Sequence, residues 1–410
     1  MKNTLLSEFR GVLLPILTLL LFTILSLYLS DILPSKATPP HQQINLIDGY
    51  DSTSTRLDSK CNIFRGNWVK YPDGPYYTNE TSCAIDDRQN CMKHGRPDTE
   101  FLKWRWRPYN CELPLFDAVQ FLELVRGKSM TFVGDSVARN QMESLVCLLA
   151  SAANPIDVSD IPDNRFRRWF YTDYNFTLAV IWSPFLVRSQ EDKPHSYQKN
   201  LYLDEADETW TAQIETVDIV IFSASQWFLR PTVYYEKGKV IGCNLCKKNM
   251  SDPTLFYGYK MAFRTAFKTL LTLQGFKGTT FLRTLSPGHY EHGVWNNGGE
   301  CGRTMPFSKE EVKLEWYVLQ LYKAQVKELR TAEKKGRQMG LKFRLLDTTE
   351  AMLLRPDGHP NHYGHWQLEN ITISDCVHWC LPGPIDTWNE LLLHMLSTER
   401  EKPTSSGMNV

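Results

Sequence analysis

The feature that most limits the possible folds is an alternation of short apolar runs with amphipathic segments between residues 129 and 396. The runs expected as strands are 129–133, 176–182, 218–222, 279–285 and 342–347, and the segments expected as helices are 137–149, 257–273, 309–336 and 385–396. Continuous apolar strands separated by helices are typical of a parallel sheet covered on both faces. We therefore predict an α/β class, with chemistry at the carboxyl ends of the strands.

Two segments fit this alternation poorly. The cysteine-rich stretch 61–126 and the irregular stretch 154–174 lack the pattern of a buried strand followed by a helix. We expect both to form a smaller lobe beside the sheet.

The chain begins with an apolar segment that determines the expected compartment. Residues 11–30 carry no charge and are as long as a membrane-spanning helix requires. Lys2 and Arg10 precede them, so residues 1–10 are expected in the cytosol and the rest in a lumen. A cleaved signal peptide is the alternative, but the run is longer than a usual signal core and no A-x-A site follows it. Residues 31–60 resemble a flexible stem, 61–397 a folded domain and 398–410 a disordered tail.

The ten cysteines all follow the apolar segment, and an even number in an oxidising compartment indicates disulfides. Cys243 and Cys246 could instead form half a zinc site or a redox pair, although no second such pair lies nearby. Four glycosylation sequons agree with a lumenal location. They are at Asn79, Asn175, Asn249 and Asn370.

Composition argues against a nucleic-acid partner. Lys plus Arg and Asp plus Glu are both 46, so the net charge is zero. A neutral polysaccharide needs no charge bias. The chain contains 12 Trp and 18 Tyr, and such side chains either pack sugar rings or belong to the core.

Gly134-Asp135-Ser136 lies where an expected buried strand meets an expected helix. This position would place the Ser136 hydroxyl at the end of the strand, beside the unpaired N–H groups that begin the helix. The geometry resembles a nucleophile elbow, although the sequence is not G-x-S-x-G. The simpler interpretation is that Asp135 or Ser136 only caps the helix.

Asp375 and His378 could complete a catalytic triad. His378 can take a proton from a serine hydroxyl, and Asp375, three residues earlier, can orient the imidazole. A surface Asp–His pair is the alternative. Trp379 and the following LPGP residues favour an ordered segment.

Three further features could contribute to a site. His359, His362 and His365 recur every three residues, but Pro360 and Gly364 interrupt any helix, so we favour a loop near the cleft over a metal site. Arg139 and Asn140 follow the serine and could reach substrate or pack the helix end. The Gly-rich segment 286–303, which contains Trp295, has the character of a binding loop.

The sequence is similar to the trichome birefringence-like family of plant polysaccharide O-acetyltransferases. The resemblance covers nearly all of the expected lumenal part and is carried by CNIFRGNWV, NCMKHGRPDTEFLKWRWRPYNCELPLF, FVGDSVARNQMESLVCLL, SPGHYEHGVWNNGGECGRT, LLRPDGHP and DCVHWCLPGPIDTWNELL. PYYTNET, YTDYNFTLAVIWSPFLV and LYLDEADETW are most like the xyloglucan acetyltransferase branch.

The resemblance implies a GDSL/SGNH-hydrolase-like fold with a Rossmann-like three-layer α/β/α major lobe and a smaller disulfide-rich lobe enclosing a cleft. It implies Ser136 as nucleophile, His378 as base and Asp375 as orienting acid. It further suggests residence in the Golgi membrane as a single-pass type II protein. The suggested disulfides are Cys61–Cys111 and Cys83–Cys147, with Cys91–Cys380 and Cys301–Cys376 as plausible further pairs.

One departure concerns the loop after the third strand. Many relatives carry Gly-His-Trp there, whereas this chain has Ser225-Gln226-Trp227. Gln226 can donate a hydrogen bond but cannot titrate. The expected oxyanion donors are the Ser136 N–H, Gly134 and a group from the Ser225–Gln226 loop. Further candidates for contacts in the cleft are Asp135, Arg139, Asn140 and Trp295.

The implied reaction is a double displacement through an acetyl-serine. The acceptor would be a hemicellulose, with xyloglucan favoured over xylan or mannan. No cofactor is expected to stay bound, and the donor would be acetyl-CoA or an acetyl group relayed by a membrane protein of the reduced wall acetylation type. An acetyl-esterase and a non-catalytic polysaccharide-binding protein are the alternatives.

Overall fold

The computed structural model describes residues 61–400, apart from 79, 82, 84, 192–197, 246–254, 296, 365–366, 369–370 and 373, and describes only the backbone of 367–368 and 371–372. The expected membrane helix, the stem and residues 401–410 lie outside this part, as do Asn79, Asn249, Asn370, Cys246 and His365. Among the described residues, no helix combines the length and the apolar character that crossing a membrane requires.

The described part contains fifteen strands and seven α-helices. The strands are β1 Gly66–Lys70, β2 Trp104–Pro108, β3 Ser129–Gly134, β4 Ile156–Asp157, β5 Phe166–Tyr171, β6 Phe176–Trp182, β7 Val187–Glu191, β8 Lys199–Ala206, β9 Ile219–Ser223, β10 Thr232–Glu236, β11 Lys239–Asn244, β12 Thr279–Arg283, β13 Lys342–Leu346, β14 Gln367–Leu368 and β15 Ile371–Thr372. The helices are α1 Ala118–Leu124, α2 Ser136–Leu149, α3 Glu208–Thr211, α4 Leu255–Thr272, α5 Trp316–Gln338, α6 Thr349–Leu353 and α7 Asp386–Arg400.

A seven-stranded sheet organises the domain, in the order β13-β12-β9-β3-β6-β5-β4. The five strands from β13 to β6 are mutually parallel, and β5 and β4 extend the sheet in antiparallel pairing. All five strands expected from the apolar runs occupy the parallel part, which confirms the α/β prediction. Since β3 lies in the middle, Ser136 follows the central strand at its carboxyl end.

Both faces of the sheet are covered, because successive strand residues point to opposite sides. Phe132 and Ile221 belong to a core that includes side chains of α1, α2 and α7. Their neighbours Val133 and Val220 belong to a second core, with side chains of α4 and α5. The central strands therefore carry apolar residues on both faces, as the sequence indicated.

The smaller lobe expected from segments 61–126 and 154–174 does not form as predicted. Segment 154–174 supplies β4 and β5 of the main sheet. The cysteine-rich segment buries Trp68, Trp106 and Phe116 in the same core as α2 and α7. Its β1 and β2 form an antiparallel ribbon on that core.

A second sheet, in the order β11-β10-β8-β7, was not anticipated. Leu201, Leu203 and Tyr234 of this sheet join the core that contains α4. Helix α5 also begins later than expected, at Trp316 instead of residue 309. Val312 packs on one core and Leu314 on the other, so the chain crosses between the two faces here and cannot yet lie as one helix.

Four disulfides join the pairs that the resemblance suggested. They are Cys61–Cys111, Cys83–Cys147, Cys91–Cys380 and Cys301–Cys376. Cys243 is disulfide-bonded as well, which excludes it as a zinc ligand in this state.

Candidate active site

Ser136 is the first residue of α2, directly after the turn that leaves β3. Gly134 permits this turn, because a Cβ atom there would lie 1.8 Å from the carbonyl oxygen of Ser223 on β9. The two strand ends therefore approach closely only with glycine at this position. The N–H of Ser136 lies in the first turn of α2, where no intrahelical acceptor exists.

Asp135 is the structural partner of this turn and does not face a substrate. Its side chain is fully buried. Its Oδ1 accepts the N–H of Val137 at 3.0 Å, and its Oδ2 accepts those of Ser225 at 2.9 Å and Gln226 at 3.3 Å. This corrects two expectations: Asp135 makes no cleft contact, and the backbone N–H groups of the Ser225–Gln226 loop are already engaged.

His378 and Asp375 form a close pair. Asp375 Oδ2 lies 2.7 Å from His378 Nδ1, and Oδ1 accepts the backbone N–H groups of Val377 and His378 at 3.1 and 3.0 Å. Burial raises the pKa of Asp375, but the charge of His378 and these hydrogen bonds outweigh burial and hold the pKa at about 2. An ionised Asp375 fixes the proton on Nδ1, so Nε2 keeps the lone pair that a base needs.

Asn140 connects the serine helix to the histidine segment. Its Nδ2 donates to the carbonyl oxygen of Trp379 at 3.2 Å, and its Oδ1 accepts the N–H of Trp379 at 2.8 Å. Asn140 is fully buried and lies one helical turn after Ser136. It therefore holds the residue next to His378 against the first turns of α2, which agrees with the packing role that the sequence left open.

The base and the nucleophile are not hydrogen-bonded to each other here. His378 Nε2 is buried and has no hydrogen-bond partner in the described part of the chain. Catalytic hydrogen bonds in ligand-free enzymes often tighten only in the substrate complex. The triad assignment of Ser136, His378 and Asp375 thus remains a prediction that this geometry permits.

Arg139 is a buried cation on the same helix, three residues after Ser136. It is only 4% exposed, its Nε has no hydrogen-bond partner among the described residues, and Glu143 Oε1 lies 3.5 Å away. Burial lowers the pKa of Arg139 and raises that of Glu143 to about 7. Arg139 therefore keeps donor capacity on the helix that begins at the nucleophile.

Gln226 remains as the donor from the loop after β9. Its Nε2 donates one hydrogen to the carbonyl oxygen of Ser286 at 2.9 Å, and the amide carries a second hydrogen. Ser225 is 4% exposed, and its hydroxyl is buried without a partner in the described structure.

Other expected residues are less closely connected to the site. Trp295 is 56% exposed, and no hydrogen bond or ring contact within the described range joins it to Ser136 or His378. His362, one of the three regularly spaced histidines, has its Nδ1 3.4 Å from the hydroxyl oxygen of Ser374. Asn175 is exposed, so its side chain is accessible for the predicted glycosylation. Among the described side chains, no three His, Cys, Asp or Glu residues cluster as metal ligands would.

His289 is the residue that sequence reasoning missed. It contacts His359, and His359 contacts the carbonyl oxygen of His378. His289 lies in the Gly-rich loop 286–303, which was expected to bind a ligand, and nothing in its spacing indicated a buried partner 70 residues away.

Two family models cover the described part of the chain. One is described as PC-esterase, the GDSL/SGNH-like acyl-esterase family found in Pmr5 and Cas1p, and matches residues 113–395. The other is described as the PMR5 N-terminal domain and matches residues 59–112. The first model alone covers more than half of the chain.

Individual relatives agree with these models. Protein trichome birefringence-like 19 of Arabidopsis thaliana is 52% identical over 90% of this chain and 87% of its own length. Xyloglucan O-acetyltransferase 4 of Populus trichocarpa is 41% identical over 93% of this chain and 91% of its own. Xyloglucan O-acetyltransferase 2 of Arabidopsis thaliana is 39% identical over 84% of each chain. The chain therefore belongs to the PC-esterase family of GDSL/SGNH-like acyl-esterases and, within it, to the trichome birefringence-like proteins.

Proposed function

We propose that this chain transfers acetyl groups to hydroxyl groups of a plant cell-wall hemicellulose, with xyloglucan as the acceptor. The main support for this proposal is the similarity to proteins named xyloglucan O-acetyltransferase. These relatives are 39–41% identical to this chain and match 83–93% of it. The site agrees with acyl transfer, because a helix-terminal serine and an Asp-oriented histidine are held together through Asn140 and Trp379.

The reaction proceeds in two displacements. The hydroxyl oxygen of Ser136 attacks the acetyl carbonyl carbon of the donor while His378 Nε2 takes the hydroxyl proton. The leaving group departs with that proton, and Ser136 becomes an acetyl ester. A sugar hydroxyl then gives its proton to His378 and attacks the ester carbonyl carbon, and the Ser136 oxygen leaves with the proton from His378.

Three donors are available for the oxyanion of each tetrahedral intermediate. They are the N–H of Ser136, the second hydrogen of Gln226 Nε2 and the Arg139 guanidinium. Gln226 replaces the histidine of many relatives and supplies a neutral donor at every pH. Arg139 adds a positive charge in a buried environment, where its attraction to an oxyanion is strong.

An acetyl-esterase is the second candidate, because the matching family model is described as an acyl-esterase family. Water would then replace the sugar hydroxyl in the second displacement. The first displacement is common to both candidates, so the identity of the acceptor distinguishes them.

The proposed setting is the Golgi lumen. Residues 11–30 would anchor the chain as a type II membrane protein, with the catalytic part lumenal. The oxidised cysteines agree with such a compartment. The donor would be acetyl-CoA or an acetyl group delivered by a membrane acetyl-supply protein.

The test compares the full-length chain with Ser136→Ala, using 4-nitrophenyl acetate or acetyl-CoA as donor and xyloglucan oligosaccharides as acceptor. Mass spectrometry should show acetylated oligosaccharide and, after a short incubation, one acetyl group on Ser136. Ser136→Ala should abolish both, whereas Ser151→Ala, at an exposed turn residue just after the same helix, should change neither. Free acetate without acetylated sugar would favour the esterase, and transfer by Ser136→Ala would contradict both candidates.

A further inference from the structure

Two imidazoles outside the triad form a hydrogen-bonded chain that ends on His378. His289 Nε2 lies 3.0 Å from the carbonyl oxygen of Leu353, and His289 Nδ1 lies 2.7 Å from His359 Nε2. His359 Nδ1 lies 2.6 Å from the carbonyl oxygen of His378. His359 is buried, and His289 is partly exposed.

The number of protons in this chain follows from its ends. Both ends are carbonyl oxygens, which only accept, so His289 Nε2 and His359 Nδ1 must each carry a proton. The central contact between His289 Nδ1 and His359 Nε2 needs a third, since two lone pairs would otherwise face each other at 2.7 Å. Two neutral imidazoles carry only two protons. Turning either ring over would replace both of its nitrogen contacts by carbons and lose two bonds.

From this count we propose that His289 and His359 share one additional proton, carry a single positive charge together, and act as positioning residues for His378. The proposal rests on the proposed function, in which His378 is the base. The pair touches no reacting atom: it acts on the peptide carbonyl of His378 and on the charge felt by the imidazole.

Burial disfavours a positive charge on the two imidazoles, and the groups around the pair offset this effect of burial. Burial lowers the pKa of His289 to about 4 and that of His359 well below its ordinary value, because an imidazolium there loses its hydration. In the pair, the charge is spread over two rings that two carbonyl dipoles solvate. The ring of His359 is stacked on Trp379, with centroids 4.1 Å apart, so the indole face meets the charge.

Four ionisable groups face the pair from the surrounding segments. Asp375 and Glu291 favour its charge, since their carboxylates raise the pKa of His359 and His289 respectively. His378 opposes the charge when it is itself protonated. Arg96 donates to the carbonyl oxygen of His359 at 2.9 Å and adds a second opposing cation.

The pair has two consequences for the base. The bond from His359 Nδ1 fixes the carbonyl of His378, and the stacking fixes Trp379, the residue that Asn140 binds. The shared positive charge also repels a positive charge on His378, just as a charged His378 lowers the pKa of His359. Removing the charge should move the acid limb of the activity profile to higher pH.

The direct test counts the protons by NMR in full-length protein labelled with 15N-histidine. The expected signature is one strongly deshielded proton coupled to both His289 Nδ1 and His359 Nε2 at pH 7. Finding only two imidazole N–H protons in the pair, with none between the rings, would overturn the proposal. This measurement needs neither a variant nor activity, so it stands or falls separately from the acetyltransferase proposal.

Two substitutions of His359 distinguish the effect of its hydrogen bond to the His378 carbonyl from the effect of the shared positive charge. His359→Asn keeps an amide donor near the position of Nδ1, and His359→Gln places its amide near the position of Nε2. Both variants remove the shared charge, so both should move the midpoint of the acid limb of kcat/KM upward by about half a unit to one unit.

Only His359→Gln loses the bond to the His378 carbonyl, so its plateau kcat should fall about tenfold more than that of His359→Asn, with KM little changed. A midpoint that stays in place in both variants would contradict the charge, and equal plateau losses would contradict the positioning bond.

Discussion

A single carboxylate, that of Asp135, determines the shape of the turn that presents Ser136. It receives N–H groups from the helix start and from the loop after β9, and it is fully buried. Carboxylates that accept several backbone N–H groups form hydrogen bonds roughly twice as strong as neutral ones. The side chain of Asp135 therefore joins the start of α2 to the loop after β9, beyond the point where β3 and β9 pair.

Replacing Asp135 by Asn should damage both stability and activity. The amide leaves one oxygen where two accepted hydrogen bonds, and its NH₂ group faces donors from the chain. We expect a loss of about 1–3 kcal/mol in the free energy of unfolding, measured by denaturant titration, and at least about a tenfold lower kcat/KM. Asp117→Asn is the matched control, since Asp117 caps α1 with one exposed bond to Gln120. Similar effects of the two substitutions would contradict this role for Asp135.

Spacing along α2 predicted which residues share a helix face with Ser136, but not what they contact. Arg139 and Asn140 lie three and four residues on, so both were reasonable candidates for substrate contact. The structure separates them because Asn140 meets Trp379, 239 residues later in the chain. Such a partner leaves no local pattern in the sequence, whereas the strand-turn-helix position of Ser136 does.

At the scale of elements, a buried polar network joins α2 and α7 to the cysteine-rich segment. Asp386 of α7 accepts hydrogen bonds from the hydroxyls of Ser144 on α2, at 2.6 Å, and Tyr77, at 2.8 Å. Glu390, one turn later, accepts the hydroxyl of Tyr76. Burial raises the pKa of Asp386 to about 6 and that of Glu390 to about 7. The network is therefore most stable with these carboxyl groups protonated.

The raised pKa of Glu390 predicts that the folded state loses stability as the pH rises. Between its ordinary value of 4.5 and about 7, the folded state keeps a proton that the unfolded state has released. Glu390 should thus contribute a fall of about 3 kcal/mol in the free energy of unfolding through this window. Glu390→Gln should remove this contribution and leave those of Asp386 and Glu143, whereas Glu399→Gln on the same helix should leave the whole fall unchanged. A pH dependence in Glu390→Gln as large as that of the unchanged chain would contradict the assignment.

The strands that the sequence predicted are more deeply buried than the strands that it missed. The five parallel strands are buried on both faces and therefore appear as continuous apolar runs. Strands β7 and β11 are half-exposed, with polar residues in VRSQE and KVIGCN, and resemble loops. The start of α5 was placed too early, since the charged segment before Trp316 has helical composition but crosses between the two cores.

At the scale of the whole molecule, two disulfides hold the histidine segment from either side. Cys376 is bonded to Cys301 of the Gly-rich loop, and Cys380 to Cys91 of the cysteine-rich segment. His378 lies between them and depends on remote parts of the chain for its position. The cysteine-rich segment thus contributes to the site through covalent and polar contacts, although it carries no proposed catalytic residue.

Removing the disulfide next to the base should therefore cost more activity than its stability loss explains. Cys301 and Cys376 are 75 residues apart, and Cys61 and Cys111 are 50 apart. By loop-closure entropy, each bond stabilises the folded state by about 4 kcal/mol. Replacing either pair by serine should thus lower the free energy of unfolding similarly. Only the Cys301/Cys376 variant frees the backbone beside His378, so only it should lose kcat at temperatures where both variants remain folded. Equal kcat in the two variants, measured with 4-nitrophenyl acetate, would show that the hydrogen bonds of Asp375, Asn140 and His359 suffice to hold the base.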